Sequence, residues 1–230
     1  MRFTDNLLAG TLIKRYKRFF VDVKINNQVI TAHCPNSGSM LGLLDKNNKI
    51  WISQSDSPKR KLKFTLELIK AKGSLVGVNT IFANKIVFEA LNNKTIKEFS
   101  KFENIKTEAV YDANTRFDFL LKNHDRKVFL EVKNVTLSTK ENVAEFPDAI
   151  TSRGTKHLIK LIEAKKRRYE SYILYLIQRE NCYQFNIADK IDIEYKKAFI
   201  EAKKKGLKIL SYNCKLSPQE IKVNEPVKIL

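Results

Sequence analysis

The stretch from residue 116 to residue 133 constrains the fold most. It consists of two largely apolar runs, 116–121 and 128–133, joined by a short charged segment. This pattern predicts a β-hairpin, because alternating runs separated by a polar turn are typical of paired antiparallel strands. Side chains alternate between faces along a strand, so Glu131 and Lys133 are expected to point the same way.

Asp118 lies between Phe117 and Phe119 and is predicted to face away from their apolar side. If the hairpin register places Asp118 opposite Glu131, two carboxylates and the ammonium of Lys133 converge on one patch of sheet. Such oxygen ligands suit a hard divalent cation. The alternative is a solvated face with ordinary salt bridges, because 30% of the chain is charged. The apolar residues on either side of Asp118 and Glu131 favour the metal site, since a buried carboxylate needs a compensating partner.

The charge balance indicates the class of partner. Lys and Arg number 43 against 25 Asp and Glu, a formal net charge of +18. A polyanion is therefore expected, because each neutralised phosphate releases condensed counterions. No apolar run approaches the ~20 residues of a spanning helix, and no secretion signal is recognised, so no membrane partner is predicted. The cysteines Cys34, Cys182 and Cys214 lack metal or disulfide spacing, which predicts a reducing cytoplasm.

Residues 1–78 are predicted to be rich in strands. The runs 19–25 and 28–33 flank Asn26-Asn27, which is the pattern of a hairpin with a two-residue turn. Further strands are predicted at 49–53 and 62–72. Short strands at this spacing predict a small barrel or sandwich, and a five-stranded barrel like the OB-fold fits the length.

Three arginines of this part are candidate nucleic-acid contacts. Arg15 and Arg18 lie beside Tyr16 and Phe19, and Arg60 belongs to a basic loop. Basic residues near aromatic rings suit backbone tracking combined with base stacking. The alternative is that the rings belong to the core and the charges only solvate its rim.

From residue 79 onward helices and strands mix, which indicates an α/β domain, and the boundary is placed between residues 78 and 79. A helix is predicted over 80–91, with Asn79 or Thr80 as N-cap and Glu89 as a possible further carboxylate. The remaining predicted elements are a strand at 105–110, a polar loop at 138–145, a helix at 149–169, a strand at 172–178, a helix at 192–205 and a strand at 207–212.

The helix predicted over 149–169 carries a basic stripe. Arg153 and His157 are four residues apart and share a face, while Lys156 begins the adjoining row. This face could hold a phosphodiester backbone. A lysine-rich helix that is merely soluble is the alternative.

Several separated motifs resemble the sugar fermentation stimulation (SfsA) protein family. They are HCPNSGSM at 33–40, TRFDF at 115–119, EVKNVTL at 131–137 and FPDA at 146–149, followed by Arg153-Gly154 and Lys156-His157-Leu158. The resemblance spans nearly the whole chain. It implies an N-terminal OB-like β-barrel and a C-terminal PD-(D/E)xK nuclease-like α/β domain. It also implies DNA binding without strong sequence preference and a link to the regulation of sugar metabolism.

In the nuclease pattern a helix Glu precedes a strand Asp and then a Glu-x-Lys strand. Glu89, Asp118, Glu131 and Lys133 match in that order, although no Pro precedes Asp118. The resemblance therefore implies Mg²⁺ or Mn²⁺ held by Asp118 and Glu131, with Glu89 acting through water. Lys133 would orient a water or stabilise charge, and Arg153, Lys156 and His157 would steady the DNA backbone.

Three functions stay open at this point. The chain is a metal-dependent DNA endonuclease, a catalytically silent DNA-binding regulator, or an RNA-binding protein that uses the OB-like domain. No GxGxxG or P-loop pattern is present, so no nucleotide cofactor is predicted.

Overall fold

In the computed structural model, residues 1–124 and 126–230 form three β-sheets, three α-helices and one short 3₁₀-helix at Lys97–Phe99. The N-terminal sheet is a small barrel, and the remainder is a mixed α/β domain. The predicted fold class is therefore confirmed. The boundary between residues 78 and 79 stays a prediction, and it falls in the connection between the last barrel strand and the first helix.

The barrel is built from short antiparallel strands whose inner faces form one core. In the hairpin of β2 (Phe20–Ile25) and β3 (Gln28–His33), Ile25 pairs with Gln28, which leaves Asn26 and Asn27 as the predicted two-residue turn. Both have positive φ values of 45° and 65°, a conformation that asparagine tolerates better than most residues. A parallel pairing of His33 with Thr65 joins β3 to β5 and closes the barrel. The strands are β1 Leu8–Tyr16, β2 Phe20–Ile25, β3 Gln28–His33, β4 Lys49–Gln54, β5 Phe64–Ala71 and the appended β6 Ser74–Gly77.

The main sheet of the C-terminal domain has six strands, in the order β15-β14-β12-β9-β8-β7. Its central strands β9, β12 and β14 are parallel, and the innermost of them, β12, is buried on both faces, so its residues 172–177 form a continuous apolar run. The predicted hairpin of residues 116–133 is the antiparallel pair of β8 and β9. The strands are β7 Asn104–Asp112, β8 Thr115–Asn123, β9 Arg126–Val135, β12 Glu170–Ile177, β14 Lys208–Leu216 and β15 Ile221–Pro226.

Helices cover both faces of this sheet. Helix α1 (Phe82–Asn92) packs on one face, and we call the apolar cluster there the α1 core. Helices α2 (Ser152–Lys166) and α3 (Ile193–Lys204) pack on the opposite face in the α2/α3 core. The sheet therefore separates two cores, and its strand β9 contributes side chains to both.

The third sheet corrects the polar loop predicted for residues 138–145. Strands β10 (Leu137–Lys140) and β11 (Val143–Phe146) form an antiparallel hairpin there, and β11 pairs in parallel with β13 (Gln184–Ile187). The prediction was wrong because the polar side chains of this segment lie on the solvent-facing side, while Ala144 is fully buried. Strand β16 (Lys228–Ile229) completes the sheet beside β13.

The start of α1 differs from the prediction. Its N-cap is Ile81, without a side-chain hydrogen bond, and not Asn79 or Thr80. The Asn79 side chain lies just before the helix, where its Oδ1 accepts from the N–H of Ile81 at 3.1 Å and its Nδ2 donates to Oε2 of the buried Glu67 at 2.8 Å. Gly206, by contrast, follows α3 with φ 81°, as expected of a residue just beyond a helix C-terminus.

Direct contacts join the barrel to the α/β domain. The Ser39 hydroxyl donates to the carbonyl oxygen of Asp148 at 2.6 Å, and the Thr80 hydroxyl donates to that of Pro35 at 2.9 Å. Within the part of the chain that the structure describes, no helix has the length and apolar character needed to cross a membrane.

Candidate metal and nucleic-acid site

Asp118 lies where β8 and β9 begin to separate. Their paired residues run from Asn123 and Arg126 to Phe119 and Leu130, and Asp118 is the next residue along β8. Its Oδ2 accepts a hydrogen bond from the backbone N–H of Val132 at 2.7 Å. The carboxylate therefore bridges to the backbone of β9 at the point where the strands separate.

The flanking phenylalanines do not share an apolar side, which corrects the prediction for this segment. Phe117 packs in the α2/α3 core, whereas Phe119 packs in the α1 core. The two rings therefore lie on opposite faces of the sheet, at the residue where the pairing of β8 with β9 ends. The carboxylate thereby lies at the edge between the two cores.

Helix α1 contributes a polar contact to this carboxylate. Asn84 Nδ2 donates to Asp118 Oδ1 at 2.7 Å, so each oxygen of Asp118 accepts one hydrogen bond. Burial, together with repulsion from the Glu131 carboxylate, nevertheless raises the pKa of Asp118 to about 6. Asp118 is thus held ionised against an opposing environment at neutral pH.

Glu131 is only 3% exposed and has two neighbours, the ammonium of Lys133 and the imidazole of His157. Its Oε1 accepts a hydrogen bond from Lys133 Nζ at 2.6 Å and also contacts His157 Nδ1. Lys133 Nζ and His157 Nδ1 are themselves 3.3 Å apart. Burial acts to raise the pKa of Glu131, but the charge of Lys133 and the hydrogen bond with His157 outweigh it, so the pKa lies below its ordinary value.

The second oxygen of this carboxylate has no such partner. Glu131 Oε2 is buried, and no donor among residues 1–124 and 126–230 hydrogen-bonds it. A buried carboxylate oxygen without a partner is costly, and the neighbouring Asp118 is also an oxygen donor. These two side chains fit a hard divalent cation that completes its shell with water or phosphate oxygens. Within the same residues, no group of three or more His, Cys, Asp or Glu side chains could by itself enclose a metal.

A groove of about 760 Å³ leads to Asp118. One wall is the hairpin of β7 and β8, and the other is the first half of α2. Arg153 and Lys156 are exposed in this wall, and neither forms a salt bridge with any residue that the structure describes. The groove is lined by Glu108, Val110, Asp112, Ala113, Asn114, Thr115, Arg116, Asp118, Arg153, Lys156, His157, Ile159 and Lys160.

Six of the ten predicted site residues are thereby brought together. Asp118, Glu131 and Lys133 converge as expected for the metal site, and α2 adds Arg153, Lys156 and His157 beside them. The roles assigned to these six residues stay predictions. His157 contacts the Glu131 carboxylate directly, whereas the sequence indicated only a contact with the DNA backbone.

Glu89 does not join this cluster. Its Oε2 lies 2.8 Å from the amino group of Met1, and its side chain is 45% exposed. It follows Asn84 by five residues, which places it about 140° around the helix axis from the residue that contacts Asp118. Helix α1 thus contacts Asp118 through the amide of Asn84, and not through a carboxylate.

The three barrel arginines lie outside the groove. Arg15 donates to the backbone carbonyls of Arg18, Asn36 and Gly38 at 2.8, 2.7 and 2.9 Å, so its guanidinium holds a loop together. Arg18 is exposed in a crevice between the barrel and the α/β domain. Arg60 is exposed and donates to the Thr65 hydroxyl at 2.9 Å. Of these three, Arg15 is the least free to bind a phosphate.

One carboxylate positions the start of α2 relative to α3. Asp192 Oδ1 accepts from the N–H of Tyr195 and thereby caps α3, while its Oδ2 accepts from the N–H of Thr151 at 2.8 Å. Thr151 is in turn the N-cap of α2 and accepts from the N–H of Gly154. The placement of the basic stripe on α2 therefore depends on this chain of caps.

Replacing Gly154 with alanine is expected to destabilise the protein. A Cβ at this position would lie 2.9 Å from the Thr151 side chain and 3.0 Å from the Tyr195 ring. Overpacking of this kind costs about 1–3 kcal/mol, against a gain of about 1 kcal/mol in helix propensity. The free energy of unfolding, measured by urea denaturation, should therefore fall; a rise would show that α2 has room to move away from α3.

Asn84 is the site residue that sequence reasoning missed. It lies one turn before Phe88, whose ring stacks on Phe119 with centroids 6.5 Å apart, so the two side chains share the face of α1 that packs on β8. An amide that shares a helix face with a ring packed on β8 is expected to reach the same strand. The nuclease pattern predicts a helix Glu, which Glu89 matches, whereas periodicity does not specify the orientation of α1 that brings Asn84 to Asp118.

Comparisons with known proteins agree with this architecture. The family described as "SfsA N-terminal OB domain" matches residues 13–78, and "Sugar fermentation stimulation protein RE domain" matches residues 81–220. The solved structure of Pyrococcus furiosus SfsA in complex with Ca²⁺ superposes with a TM-score of 0.89 at 20% identity, covering 100% of this chain and 98% of that one. This likeness shows that the two chains share a fold.

Curated relatives match over nearly their full length. The sugar fermentation stimulation protein homolog of Pelagibacter ubique (strain HTCC1062) is 55% identical over 230 residues, covering 100% of this chain and 99% of the relative. The homolog of Agrobacterium fabrum (strain C58 / ATCC 33970) is 41% identical over 231 residues, covering 100% and 97%. With both family domains matched in the order of the barrel and the α/β domain, these identities show that the chain belongs to the sugar fermentation stimulation (SfsA) protein family.

Proposed function

We propose that this protein is a divalent-metal-dependent phosphodiesterase that acts on DNA without sequence preference, and that its α/β domain is a PD-(D/E)xK nuclease-like domain. The observation that carries the proposal is the unpartnered, buried Oε2 of Glu131 beside Asp118 and Lys133. Structural ion pairs satisfy their oxygens, whereas a site built for a cation leaves one available.

Asp118 and Glu131 would hold Mg²⁺ or Mn²⁺. When bound, such a cation supplies Lewis-acid chemistry to a phosphate ester. The solved relative from Pyrococcus furiosus contains Ca²⁺, which supports a divalent cation in this family, and the choice of Mg²⁺ or Mn²⁺ is our proposal. Ca²⁺ and these two ions share a preference for oxygen ligands.

The remaining groups of the site would act on the nucleic acid. Lys133 holds a positive charge against Glu131 and would stabilise negative charge that develops on the phosphate. Arg153 and Lys156, exposed in the wall of the groove, would bind backbone phosphates on either side of the one that reacts. Contacts of this kind carry no sequence information, which fits binding without sequence preference.

The test is cleavage of single- and double-stranded DNA by the purified protein with Mg²⁺ or Mn²⁺. The wild type is expected to cut at least one of these substrates, and Lys133→Gln to cut much more slowly because it lacks the charge. Lys97→Gln, which neutralises an exposed lysine next to the α1 core, serves as the matched control. Absence of cutting, or cutting unaffected by Lys133→Gln, would remove the enzymatic proposal.

Removing Arg153 is expected to weaken DNA binding and its dependence on salt. Each phosphate contact contributes a slope of about 0.9 in log K against log salt for duplex DNA, or about 0.7 for single strands. Arg153→Ala should therefore lower that slope by about 0.7–0.9, uniformly across DNA sequences, as followed by fluorescence anisotropy. An unchanged slope would place the phosphate contacts outside the groove.

A second candidate is a DNA-binding regulator, linked to sugar metabolism, that uses this fold only to bind DNA and has no catalytic activity. The observation that favours it is the engagement of both Lys133 and His157 with Glu131, together with the separate position of Glu89. A protein of this kind would bind DNA with the same dependence on salt but would not cut it. Competition between RNA and DNA would identify a third candidate, an RNA-binding protein that acts through the barrel.

A further inference from the structure

We propose that His157 is a positioning residue that fixes the Glu131 carboxylate so that Oε2 is presented to the divalent cation, an inference that rests on the proposed metal site. His157 comes from α2, whereas Glu131 and Lys133 come from the same strand. The imidazole therefore ties the metal site to the helix that carries the basic stripe.

The contacts of the carboxylate are unequal. Both neighbours of Glu131, the ammonium of Lys133 and Nδ1 of His157, bind the same oxygen, Oε1. The other oxygen, Oε2, is buried without a partner among the described residues. Two contacts on one oxygen fix the plane of the carboxylate and leave the second oxygen facing a single direction.

Of the two anchors, His157 is the more rigid. Both side chains are similarly buried, with 13% of His157 and 12% of Lys133 exposed, but the His157 ring also lies edge-on to Phe117, with centroids 6.4 Å apart and planes at 80°. The next residue, Leu158, is fully buried and fixes this turn of α2 in the α2/α3 core. Lys133, by contrast, reaches Glu131 through a four-carbon stem with several rotatable bonds. Loss of the imidazole would therefore leave Glu131 held by a flexible partner alone.

The identity of the contacting atom allows a sharp test. An asparagine side chain places its amide group close to the position of Nδ1, whereas a glutamine side chain places it closer to the position of Nε2. Only His157→Asn can therefore restore a hydrogen bond to Glu131 Oε1. If His157 contributed only packing, His157→Gln would be tolerated better than His157→Asn, because glutamine is closer to histidine in size.

The experiment is Mn²⁺ binding to the full chain without nucleic acid, measured by electron paramagnetic resonance. His157→Ala and His157→Gln are expected to weaken the Kd by about 10–100-fold, the usual effect of removing a group that orients a metal ligand. His157→Asn should stay within about threefold of the wild type. His124→Asn, at an exposed residue that directly follows β8, controls for loss of a histidine, and thermal unfolding without metal checks that each variant is folded.

Two failures are distinguishable. If the wild type binds Mn²⁺ and all His157 variants bind it equally well, the positioning role is overturned and the proposed metal site stands. The role is also overturned if His157→Asn loses as much affinity as His157→Ala, or if affinity follows only the loss of thermal stability. If the wild type binds no Mn²⁺, the proposed metal site fails, and the positioning role fails with it.

Discussion

Replacing Glu131 with glutamine is expected to abolish divalent-cation binding and DNA cleavage while the fold persists. Glutamine keeps the size of the side chain and an oxygen for Lys133, but it removes the negative charge that faces the cation from a site that is 3% exposed. Losing a metal ligand should exceed the about 10–100-fold cost of losing a residue that merely supports one. We therefore expect at least about a 100-fold weaker Kd for Mn²⁺, measured by calorimetry.

The matched control for this variant is Glu201→Gln, which neutralises a carboxylate on the exposed surface of α3. It should leave Mn²⁺ binding unchanged. Glu131→Gln also leaves the ammonium of Lys133 without its nearest anion, so circular dichroism must show that the variant is folded. A folded Glu131→Gln variant that binds Mn²⁺ like the wild type would contradict a metal site at this carboxylate.

Replacing Asp118 with asparagine is expected to stabilise the protein at neutral pH. The pKa of Asp118 is raised to about 6 in the folded state, above the roughly 3.9 of an unfolded chain. The folded state thus binds this proton more tightly, so its contribution to stability is full below about pH 4 and is lost as the pH rises through about 6. Asparagine is neutral throughout and does not lose that contribution. Its one carbonyl oxygen keeps the hydrogen bond from the Val132 N–H, and its amide nitrogen then faces Asn84, whose side-chain amide turns so that its oxygen accepts.

The size of the stabilisation expected for Asp118→Asn follows from the same pKa shift. Two pKa units correspond to at most about 3 kcal/mol, and partial solvent access reduces the expected gain to about 1–3 kcal/mol at pH 8. Urea denaturation at pH 4 and pH 8 measures it, and the difference between Asp118→Asn and the wild type should be largest at pH 8. The exposed Asp56→Asn is the control.

Adding a divalent cation should reverse the order of stability of the wild type and Asp118→Asn. Ligands that bind only the folded state stabilise it, so Mn²⁺ should raise the stability of the wild type at pH 8 but not that of Asp118→Asn. A variant that is more stable and yet inactive is expected where a site keeps a charge against its environment. If the difference in the free energy of unfolding between Asp118→Asn and the wild type does not grow from pH 4 to pH 8, the raised pKa is not present in the folded protein.

Much of this architecture was predictable from local patterns. The hairpin of β8 and β9 followed from two alternating runs around a charged turn, and Asn26-Asn27 marked the turn in the barrel. In each case the pairing partners are neighbours in the sequence. The convergence of Asp118, Glu131 and Lys133 belongs to the same short stretch, which is why sequence spacing was informative about it.

The rest depended on packing between distant elements. The contact of His157 with Glu131 exists because α2 lies across the parallel strands β9 and β12, and no local pattern specifies that crossing. The orientation of α1, which brings Asn84 to Asp118, is likewise set by the α1 core. Strands β10 and β11 were missed because polar residues on the outer side of a hairpin resemble a loop.

The shared cap at Asp192 connects the groove to residues that touch no ligand. Because this carboxylate accepts hydrogen bonds from both Thr151 and Tyr195, it holds the first turns of α2 and α3 in a fixed relation. A substitution there would tilt the wall that carries Arg153 and Lys156 without altering either side chain. In a genetic screen for loss of function, alleles of Asp192 would therefore resemble alleles of the groove itself.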